Sequence, residues 1–353
     1  MTMKKTAIAL LTASALTVSL SARDQIKIVG SSTVYPFSSA VAEELGATTK
    51  YPTPVVESTG SGGGMKLFCA GNGMNTPDIT NASRRMKAKE FKLCEKNGVT
   101  DITESVIGFD GIAFAQAKSN APFTVTKKQL LLAVAAEVPS KDGKKLIANP
   151  YKKWSQIDST LPNREIVIYG PPKSSGTRDA FEDMILKGQT KKMSVYTSLY
   201  KADKVKNKAY KKYKKIRTDG VYVPSGENDN LIVSKLNKNK AAFGIFGYSF
   251  LMENDDKVQG AKVNGVSPTP DTISSGKYPI SRSLFFYTKN SHAKSVPAMN
   301  DYVDMFMSED MIGKEGILGE IGLIALPDAR RNAVKASVAK RTKITLEELS
   351  KKH

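Results

Sequence analysis

Three short turns rich in glycine, serine and threonine carry the residues of this chain that could do chemistry. Their sequences are GSST (30–33), TGSGGG (59–64) and GPPKSS (170–175), and each separates a strand-like run from a helix-like segment. A helix start offers unpaired N–H groups and a partial positive charge, which suit an anion. Small hydroxyl residues add donors without blocking close approach. Together the three turns predict an oxyanion site.

Arg178 follows the third turn and stands in the first turn of a predicted helix. An arginine can form charge-assisted, bidentate hydrogen bonds to an oxyanion. A cation at a helix start opposes the helix dipole, so its presence there favours an anion bound between the two. The alternative is an ordinary surface arginine.

Other chemistries lack their residues. The loop at 60–66 has no GK[ST] and no dinucleotide fingerprint. A serine hydrolase built on Ser61 or Ser175 would need a base and a GxSxG turn, but the chain has two histidines, His292 and His353, and neither serine lies in that motif. Clustered metal ligands and CxxC spacing are also missing from the sequence. We therefore expect no enzyme, no cofactor and no metal site.

The elements around these turns alternate between strand and helix. Strands are predicted near 26–29, 55–57 and 165–169, and helices near 34–45, 65–70 and 177–184. Such alternation is typical of an α/β fold with mostly parallel sheets, in which ligands bind beyond the carboxyl ends of the strands. A chain of 353 residues usually divides its core between two domains.

The first 22 residues have the pattern of a secretory signal peptide. Lys4 and Lys5 form a basic start, an uncharged and mostly apolar run covers 6–20, and small residues precede Arg23. A membrane anchor is the alternative, but the apolar run is shorter than the roughly 20 residues that span a bilayer. The sequence thus predicts export with cleavage of 1–22 and a periplasmic mature protein.

An exported protein can hold a disulfide, and the chain has two cysteines, Cys69 and Cys94. Two buried free thiols are the alternative to a bond between them. The formal charge is +19, or near +17 without Lys4 and Lys5, and lysines gather at 201–215. Nucleic-acid binding is one interpretation of such a stretch. Export favours a solvated basic surface that steers small anions and binds no nucleic acid.

At its turns the chain resembles periplasmic phosphate-binding proteins of ABC transporters. The similarity covers most of the predicted mature chain in the family's order, and GSSTVYPF and SGTR are its most specific parts. The matching stretches are IVGSSTVYPFSSAVAEE (28–44), ESTGSGGGMKLFCAG (57–71), DITNASRRM (78–86), ESVIGFDGIAFA (104–115), GPPKSSGTRDAFEDM (170–184), PSGENDN (224–230), AAFGIFGYSF (241–250) and YPISRSLFFYT (278–288).

The resemblance implies a two-lobed α/β periplasmic binding protein of the type II-like class, with a ligand cleft between lobes joined by two crossing strands. Lobe I would comprise 23–114 and 282–353, and lobe II 115–281. The crossings would lie near 111–114 and 283–286. A protein of this kind binds inorganic phosphate as a monomer and delivers it to the permease of an ABC transporter.

Residue by residue, the resemblance also implies a set of phosphate contacts. Hydroxyl groups, main-chain amides and one guanidinium would donate to the phosphate oxygens. These residues are Ser32, Thr33, Val34 (through its amide), Ser61, Ser175, Gly176, Thr177 and Arg178.

The chain departs from the best-studied branch of the family at two charged positions. Ser83 stands where that branch has a buried aspartate that accepts the proton of hydrogen phosphate, and Pro171 stands where it has an arginine. Arg178, together with Arg84, would then supply the positive charge. Asp110 is the candidate proton acceptor, with Asp229 behind it.

Asp110 also precedes a glycine, and a plain turn-forming role is the alternative for it. Helix starts and hydroxyls bind any tetrahedral oxyanion, so sulfate and molybdate stay open as ligands on the residues alone. A secreted phosphatase is the remaining alternative.

Overall fold

The computed structural model describes residues 23–173, 175–203, 215–226 and 230–350, with no side-chain detail at 199–203. The predicted signal peptide at 1–22, Asp229 and most of the lysine-rich stretch 201–215 lie outside the described residues. Within those ranges, none of the helices combines the length and the apolar character that crossing a membrane requires.

The described strands vary from two to 16 residues in length, and β4 is the longest. They are β1 (Lys27–Gly30), β2 (Val55–Ser58), β3 (Ile79–Ala82), β4 (Ile102–Ala117), β5 (Thr124–Val125), β6 (Glu137–Pro139), β7 (Leu146–Ala148), β8 (Ile168–Gly170), β9 (Tyr222–Pro224), β10 (Phe243–Gly247), β11 (Val258–Gly260), β12 (Lys262–Val263) and β13 (Ser281–Lys289).

The helices alternate with these strands along most of the chain. They are α1 (Tyr35–Thr48), α2 (Ser61–Phe68), α3 (Ala88–Lys96), α4 (Lys127–Val134), α5 (Trp154–Ile157), α6 (Gly176–Phe181), α7 (Gly188–Thr190), α8 (Ser194–Asp203), α9 (Asn230–Lys238), α10 (Tyr248–Glu253), α11 (Pro270–Ser274), α12 (Ala298–Phe306), α13 (Glu309–Ile312), α14 (Ile317–Glu320), α15 (Asp328–Ala339) and α16 (Leu346–Ser350). A π-helical turn, Glu182–Lys187, joins α6 to α7 without a break.

One nine-stranded sheet organises the molecule, in the order β2-β1-β3-β13-β4-β10-β8-β9 with β11 also on β4. At one end β1 is parallel to β2 and β3, and at the other β8 is parallel to β9 and β10. The antiparallel strands β13 and β4 lie between these parallel groups. The predicted α/β class is confirmed, but the sheet is mixed rather than mostly parallel, because β13 and β4 run antiparallel to their neighbours.

β4 is the strand that belongs to both ends of the sheet. Its residues 102–111 pair with β13, and its residues 112–117 pair with β10 and β11. We call β2, β1, β3, β13 and residues 102–111 the first half, and residues 112–117 with β10, β11, β8 and β9 the second half. The chain returns from α11 of the second half to β13, which pairs with β3 and β4 along its length.

The core lies on both faces of this sheet. One cluster packs α1 and α12 on the first half, with Phe286 and Tyr302 wholly buried. The other extends across both halves and contains an aromatic group in which Phe114 stacks on Phe243 and contacts Trp154 edge-on. Burying large aromatic side chains from several elements fixes those elements relative to one another.

The two cysteines lie at the first half and are fully buried. Cys69 ends α2 and Cys94 lies in α3, and the two form a disulfide across a sequence separation of 25. The predicted disulfide is confirmed, and the alternative of two free thiols is wrong. The bond ties the helix that begins at the second turn to its neighbour.

Candidate functional site

The first turn follows β1 and is held by backbone geometry. Gly30 has a φ of +133°, and a Cβ built on it would lie 2.2 Å from the carbonyl oxygen of Asn81, so only glycine fits. The Ser31 N–H donates to that same carbonyl oxygen (2.9 Å), and the Ser31 hydroxyl accepts from the N–H of Thr33 (3.2 Å). These bonds hold the turn in one shape just before α1 begins.

The second turn differs from the prediction in one respect. The sequence places a turn through Gly64, but α2 already begins at Ser61 and includes three glycines. Glycine costs about 1 kcal/mol in a helix, so packing must favour it here. A Cβ on Gly64 would lie 2.5 Å from Gly30 Cα and 2.6 Å from Thr80 Oγ1. The glycine lets α2 lie directly against β1, which brings the first two turns together.

The third turn follows β8 in the second half of the sheet. The Ser175 N–H donates to the carbonyl oxygen of Pro172 (3.1 Å), and Ser175 precedes α6. The first N–H groups of any helix lack partners inside it. Those of α6 therefore point out of the start of a continuous helical segment that extends from Gly176 to Thr190.

The first and third turns meet across the two halves. A Cβ on Gly176 would lie 3.1 Å from both the Cα and the nitrogen of Thr33 and 3.2 Å from the carbonyl carbon of Ser32. The Thr33 hydroxyl also lies 3.5 Å from the Gly176 carbonyl oxygen, at the outer limit of a hydrogen bond. Two helix starts from different halves of the sheet thus face each other at van der Waals distance.

A cavity of about 150 Å³ lies at this meeting point. Tyr248 and Ser249 of α10 close one side of it, and Ile321 and Gly322 close another. Drug-sized ligands occupy pockets of about 300–1,000 Å³, so this volume suits a small ion. Five of the residues predicted from the sequence line it: Ser32, Thr33, Asp110, Gly176 and Thr177.

Asp110 supplies the carboxylate of this cavity. Its side chain is 15% exposed, and Arg282 Nε lies 3.4 Å from its Oδ2. Neither atom has a hydrogen-bond partner in the described part of the chain. Burial raises the pKa of the Asp110 carboxyl, and the positive charge of Arg282 acts in the opposite direction. The oxygen is therefore an acceptor without a donor.

Arg282 is the charged residue that sequence reasoning missed. It lies on β13 directly opposite Asp110 on β4, and its Nη2 donates to the Thr33 hydroxyl at 2.6 Å. The available signal was an arginine inside the otherwise uncharged run YPISRSLFFYT. A buried arginine in a strand needs an acceptor, and that requirement alone points to a polar partner.

Arg178 is placed at the start of α6 but turns away from the cavity. Its Nε donates to Glu182 (2.7 Å) and its Nη1 to the Pro171 carbonyl oxygen (3.2 Å). The guanidinium lies 4.5 Å from the centre of the Tyr222 ring, and the residue is buried. Hydrogen bonds, a cation–π contact and burial together hold it beneath the third turn. Ser175, three residues before Arg178, does not line the cavity.

A second group of predicted residues gathers at the start of α2 and also lies off this cavity. The Ser61 hydroxyl accepts from the Ser83 N–H (3.0 Å), and the two hydroxyls are 3.2 Å apart. Arg84 forms a bidentate pair with Glu90 (2.7 and 2.9 Å). Val34 precedes α1 with its side chain fully buried, so only its backbone could serve a ligand.

Both ring nitrogens of His292 have hydrogen-bond partners within the fold. Its Nδ1 lies 2.6 Å from the buried Asp78 carboxylate, and its Nε2 lies 3.0 Å from the Asn72 carbonyl oxygen. Arg23 also pairs with Asp78, and the backbone N–H of Lys27 donates to it (2.7 Å). No group of three or more potential metal-ligating side chains occurs among the residues described above. His292 thus serves the fold at the start of β1.

Comparison with known proteins agrees with this architecture. A model of the PBP superfamily domain matches residues 17–310. The chain is 32% identical over 304 residues to protein SphX of Synechococcus elongatus, covering 84% of this chain and 76% of that protein. It is 29% identical to the phosphate-binding protein PstS of Staphylococcus saprophyticus, covering 86% and 81% respectively.

Solved structures show the same fold. A possible phosphate-binding protein from Planctomyces limnophilus superposes with a TM-score of 0.67 at 29% identity, covering 93% of this chain and 99% of its own. A putative phosphate ABC transporter substrate-binding protein with bound phosphate from Clostridium perfringens superposes with a TM-score of 0.51 at 22% identity, covering 86% and 100%. The predicted periplasmic-binding-protein fold is therefore confirmed.

The relatives from Staphylococcus saprophyticus and Planctomyces limnophilus are named as a phosphate-binding protein and a possible phosphate-binding protein, which favours a binding protein over the phosphatase alternative. The match of the superfamily model over more than half of the chain and the similarity to SphX and PstS lead to one conclusion. This chain belongs to the PBP superfamily and is similar within it to protein SphX and to the phosphate-binding protein PstS.

Proposed function

We propose that this protein binds inorganic phosphate outside the cytoplasmic membrane and delivers it to the permease of an ABC transporter. One observation carries the proposal, namely the cavity of about 150 Å³ at which the starts of α1 and α6 meet. The names of its relatives add phosphate as the ligand of similar proteins.

The chemistry of the cavity suits a small oxyanion. Helix starts direct N–H groups and partial positive charge toward it, and Ser32 and Thr177 add hydroxyl donors, while the Thr33 hydroxyl lies beside them and accepts from Arg282. Such a site replaces the water around an anion with fixed donors and needs no metal. In this proposal Ser61, Ser83, Arg84, Ser175 and Arg178 support the turns, and the amide of Val34 completes the donors around α1.

Asp110 gives the proposed site its selectivity. A carboxylate beside a dianion is repulsive unless a proton lies between them, and hydrogen phosphate carries that proton whereas sulfate at neutral pH does not. Asp110 lines this cavity, and its carboxylate can accept that proton. Sulfate would leave the buried acceptor without a donor. Sulfate and molybdate are thereby disfavoured relative to phosphate. They are the second candidate ligands.

The proposal also includes a motion. Residues 23–114 with 282–353 would form lobe I and residues 115–281 lobe II, and the two would close on the ligand about the connections at β4 and β13. A hinge of this kind shifts toward the closed form because the ligand makes contacts available only there. The exported mature chain would act as a periplasmic monomer, and its closed shape would dock on the permease.

Titration calorimetry of the chain from residue 23 onward tests the proposal. We expect one phosphate per chain, with phosphate bound at least about 100-fold more tightly than sulfate or molybdate, a difference of about 2.7 kcal/mol. Equal affinity for sulfate would make the protein a general oxyanion binder. No heat with any of the three anions would overturn the proposal.

A further inference from the structure

The ion pair between Asp110 and Arg282 has an unusual geometry. Both side chains are largely buried, at 15% and 13% exposure, yet Nε and Oδ2 are 3.4 Å apart and share no hydrogen bond. The short bond of Arg282 goes instead to the Thr33 hydroxyl at 2.6 Å. Burying two charges costs free energy that a loose pair recovers poorly, so stability alone does not account for this arrangement.

The hydrogen bond from Arg282 limits which other hydrogen bonds the Thr33 hydroxyl can form. A hydroxyl has one hydrogen to donate and two lone pairs. Because Thr33 Oγ1 accepts from Arg282, its own hydrogen is left to point elsewhere, and the Gly176 carbonyl oxygen lies 3.5 Å away. The chain of contacts thus passes from β13 through the first turn to α6 in the second half.

These residues also lie where the chain passes between the halves. Arg282 pairs in register with Asp110, and the next residue of β4, Gly111, pairs with Ser281. The following residue, Ile112, already pairs with Gly247 of β10. The ion pair is therefore one residue from the point at which β4 changes its partners, where a rotation of one half against the other must be absorbed.

We propose that Arg282 is a positioning residue that couples this strand crossing to closure of the cavity. It orients the Thr33 hydroxyl for the contact with Gly176 and holds the Asp110 carboxylate at the cavity wall. The assignment rests on the proposed function. The residue acts through Thr33 and Asp110 and does not itself contact the anion.

A residue with this role affects the dissociation rate constant of phosphate more than its association rate constant. Thr33 and Gly176 belong to different halves, so the proposed hinge motion would make their contact only in the closed form. Loss of the guanidinium should speed the opening that releases phosphate and leave its encounter with the open form nearly unchanged. We expect the dissociation rate constant to rise about tenfold in R282K and the association rate constant to change less than about threefold.

A double-mutant cycle tests the coupling, with phosphate as the ligand and stopped-flow kinetics as the measurement. R282K keeps the charge beside Asp110 but replaces the planar fork with a single ammonium. T33V removes the hydroxyl at nearly constant volume. If Arg282 acts through Thr33, the double variant R282K/T33V releases phosphate no faster than the faster of the two single variants.

The matched control is R164K, since Arg164 is a half-buried arginine that donates to the Gln116 side chain and to backbone carbonyls away from the cavity. It should leave both rate constants unchanged. Thermal unfolding of each variant checks the fold, and R282Q replaces R282K if the latter does not fold. If the two single substitutions multiply each other's effect on the dissociation rate, or if R282K releases phosphate at the wild-type rate, the role proposed for Arg282 is wrong. The proposed function would not be affected by either result. Failure of the wild-type chain to bind phosphate would overturn the proposed function and this inference with it.

Discussion

At the cavity, Asp110 presents a carboxylate oxygen that accepts no hydrogen bond from any described residue, although Arg282 lies 3.4 Å away. Burial favours the protonated form of this carboxyl, and the arginine favours the ionised form. An acceptor poised in this way can take a proton-bearing ligand and penalise a fully deprotonated one. Selectivity between the two anions thus depends on one carboxylate oxygen of Asp110, for which the described residues provide no hydrogen-bond donor.

The variant D110N should relax this selectivity. Its amide nearly preserves the shape of the side chain but adds a donor, which can bond to a deprotonated oxygen. We expect the ratio of the sulfate to the phosphate dissociation constants to fall by at least about tenfold, or about 1.4 kcal/mol, in competition calorimetry. D301N, on the exposed surface of α12, is the matched control and should keep the wild-type ratio. An unchanged ratio in D110N would assign selectivity to another group.

A site residue can be predicted from the sequence when its role depends on its neighbours in the chain, and not when it depends on distant partners. Thr33 and Gly176 stand at helix starts whose residue types indicate anion chemistry without knowledge of the fold. Asp110 is proposed through the family resemblance, and the structure places it inside β4 rather than in a turn. Arg282 could not be assigned in this way, because its partners lie 172 and 249 positions away and meet it only through the strand register. Arg178 follows a helix-start pattern, but the stacking on Tyr222 depends on packing that the pattern does not encode.

At the scale of elements, glycines set how closely the helix starts approach other backbone. Gly64 brings α2 onto β1, and Gly176 brings α6 onto the turn before α1. The sequence predicted the elements and their alternation, with strand and helix limits within a few residues for β1 and α1. It did not predict that α2 begins at Ser61, because glycine-rich segments disfavour helix unless tertiary packing compensates.

G176A should weaken phosphate binding and leave folding stability nearly unchanged. Its Cβ would lie 3.1 Å from the backbone of Thr33, which belongs to the other half and can withdraw only if the cavity opens. We expect the phosphate dissociation constant to rise at least about tenfold in calorimetry, with an unfolding free energy within about 1 kcal/mol of wild type.

G188A is the matched control for G176A. Gly188 lies in α7 of the same helical segment, and the nearest atom to a Cβ there would be the Asp183 carbonyl oxygen at 3.6 Å, an ordinary contact. This variant should bind phosphate as wild type does and gain slightly in stability, since alanine favours helix over glycine. Equal losses of affinity in both variants would mean that helix propensity, and not the approach to Thr33, governs binding.

At the scale of the whole molecule, one sheet extends through both halves, and five of the predicted site residues, drawn from both, converge where β4 passes between them. The α/β class and the order of elements follow from periodicity and turn residues. The sheet order β3-β13-β4-β10 does not, because it joins strands that are distant along the chain, and the family resemblance implied only two crossing strands near 111–114 and 283–286.

Charge also acts at this scale. The full chain carries a formal +19, and two of those charges belong to the predicted leader. A positive molecule attracts small anions over a distance set by the Debye length, which falls from about 30 Å at 0.01 M salt to about 8 Å at 0.15 M. The contacts inside a closed cavity are much shorter than either length. Salt should therefore slow the encounter and leave the escape of a bound anion largely unaffected.

Stopped-flow kinetics across this range of sodium chloride concentration separate the two steps. We expect the association rate constant for phosphate to fall several-fold, and the dissociation rate constant to change by less than about twofold. Chloride can also compete for the site, so sodium gluconate at the same ionic strength serves as the control, and the fall should be the same in both salts. A fall seen with chloride alone would indicate competition for the cavity. A dissociation rate that follows ionic strength would mean that screened surface charges hold the ligand, contrary to a cavity formed by helix starts and hydroxyls.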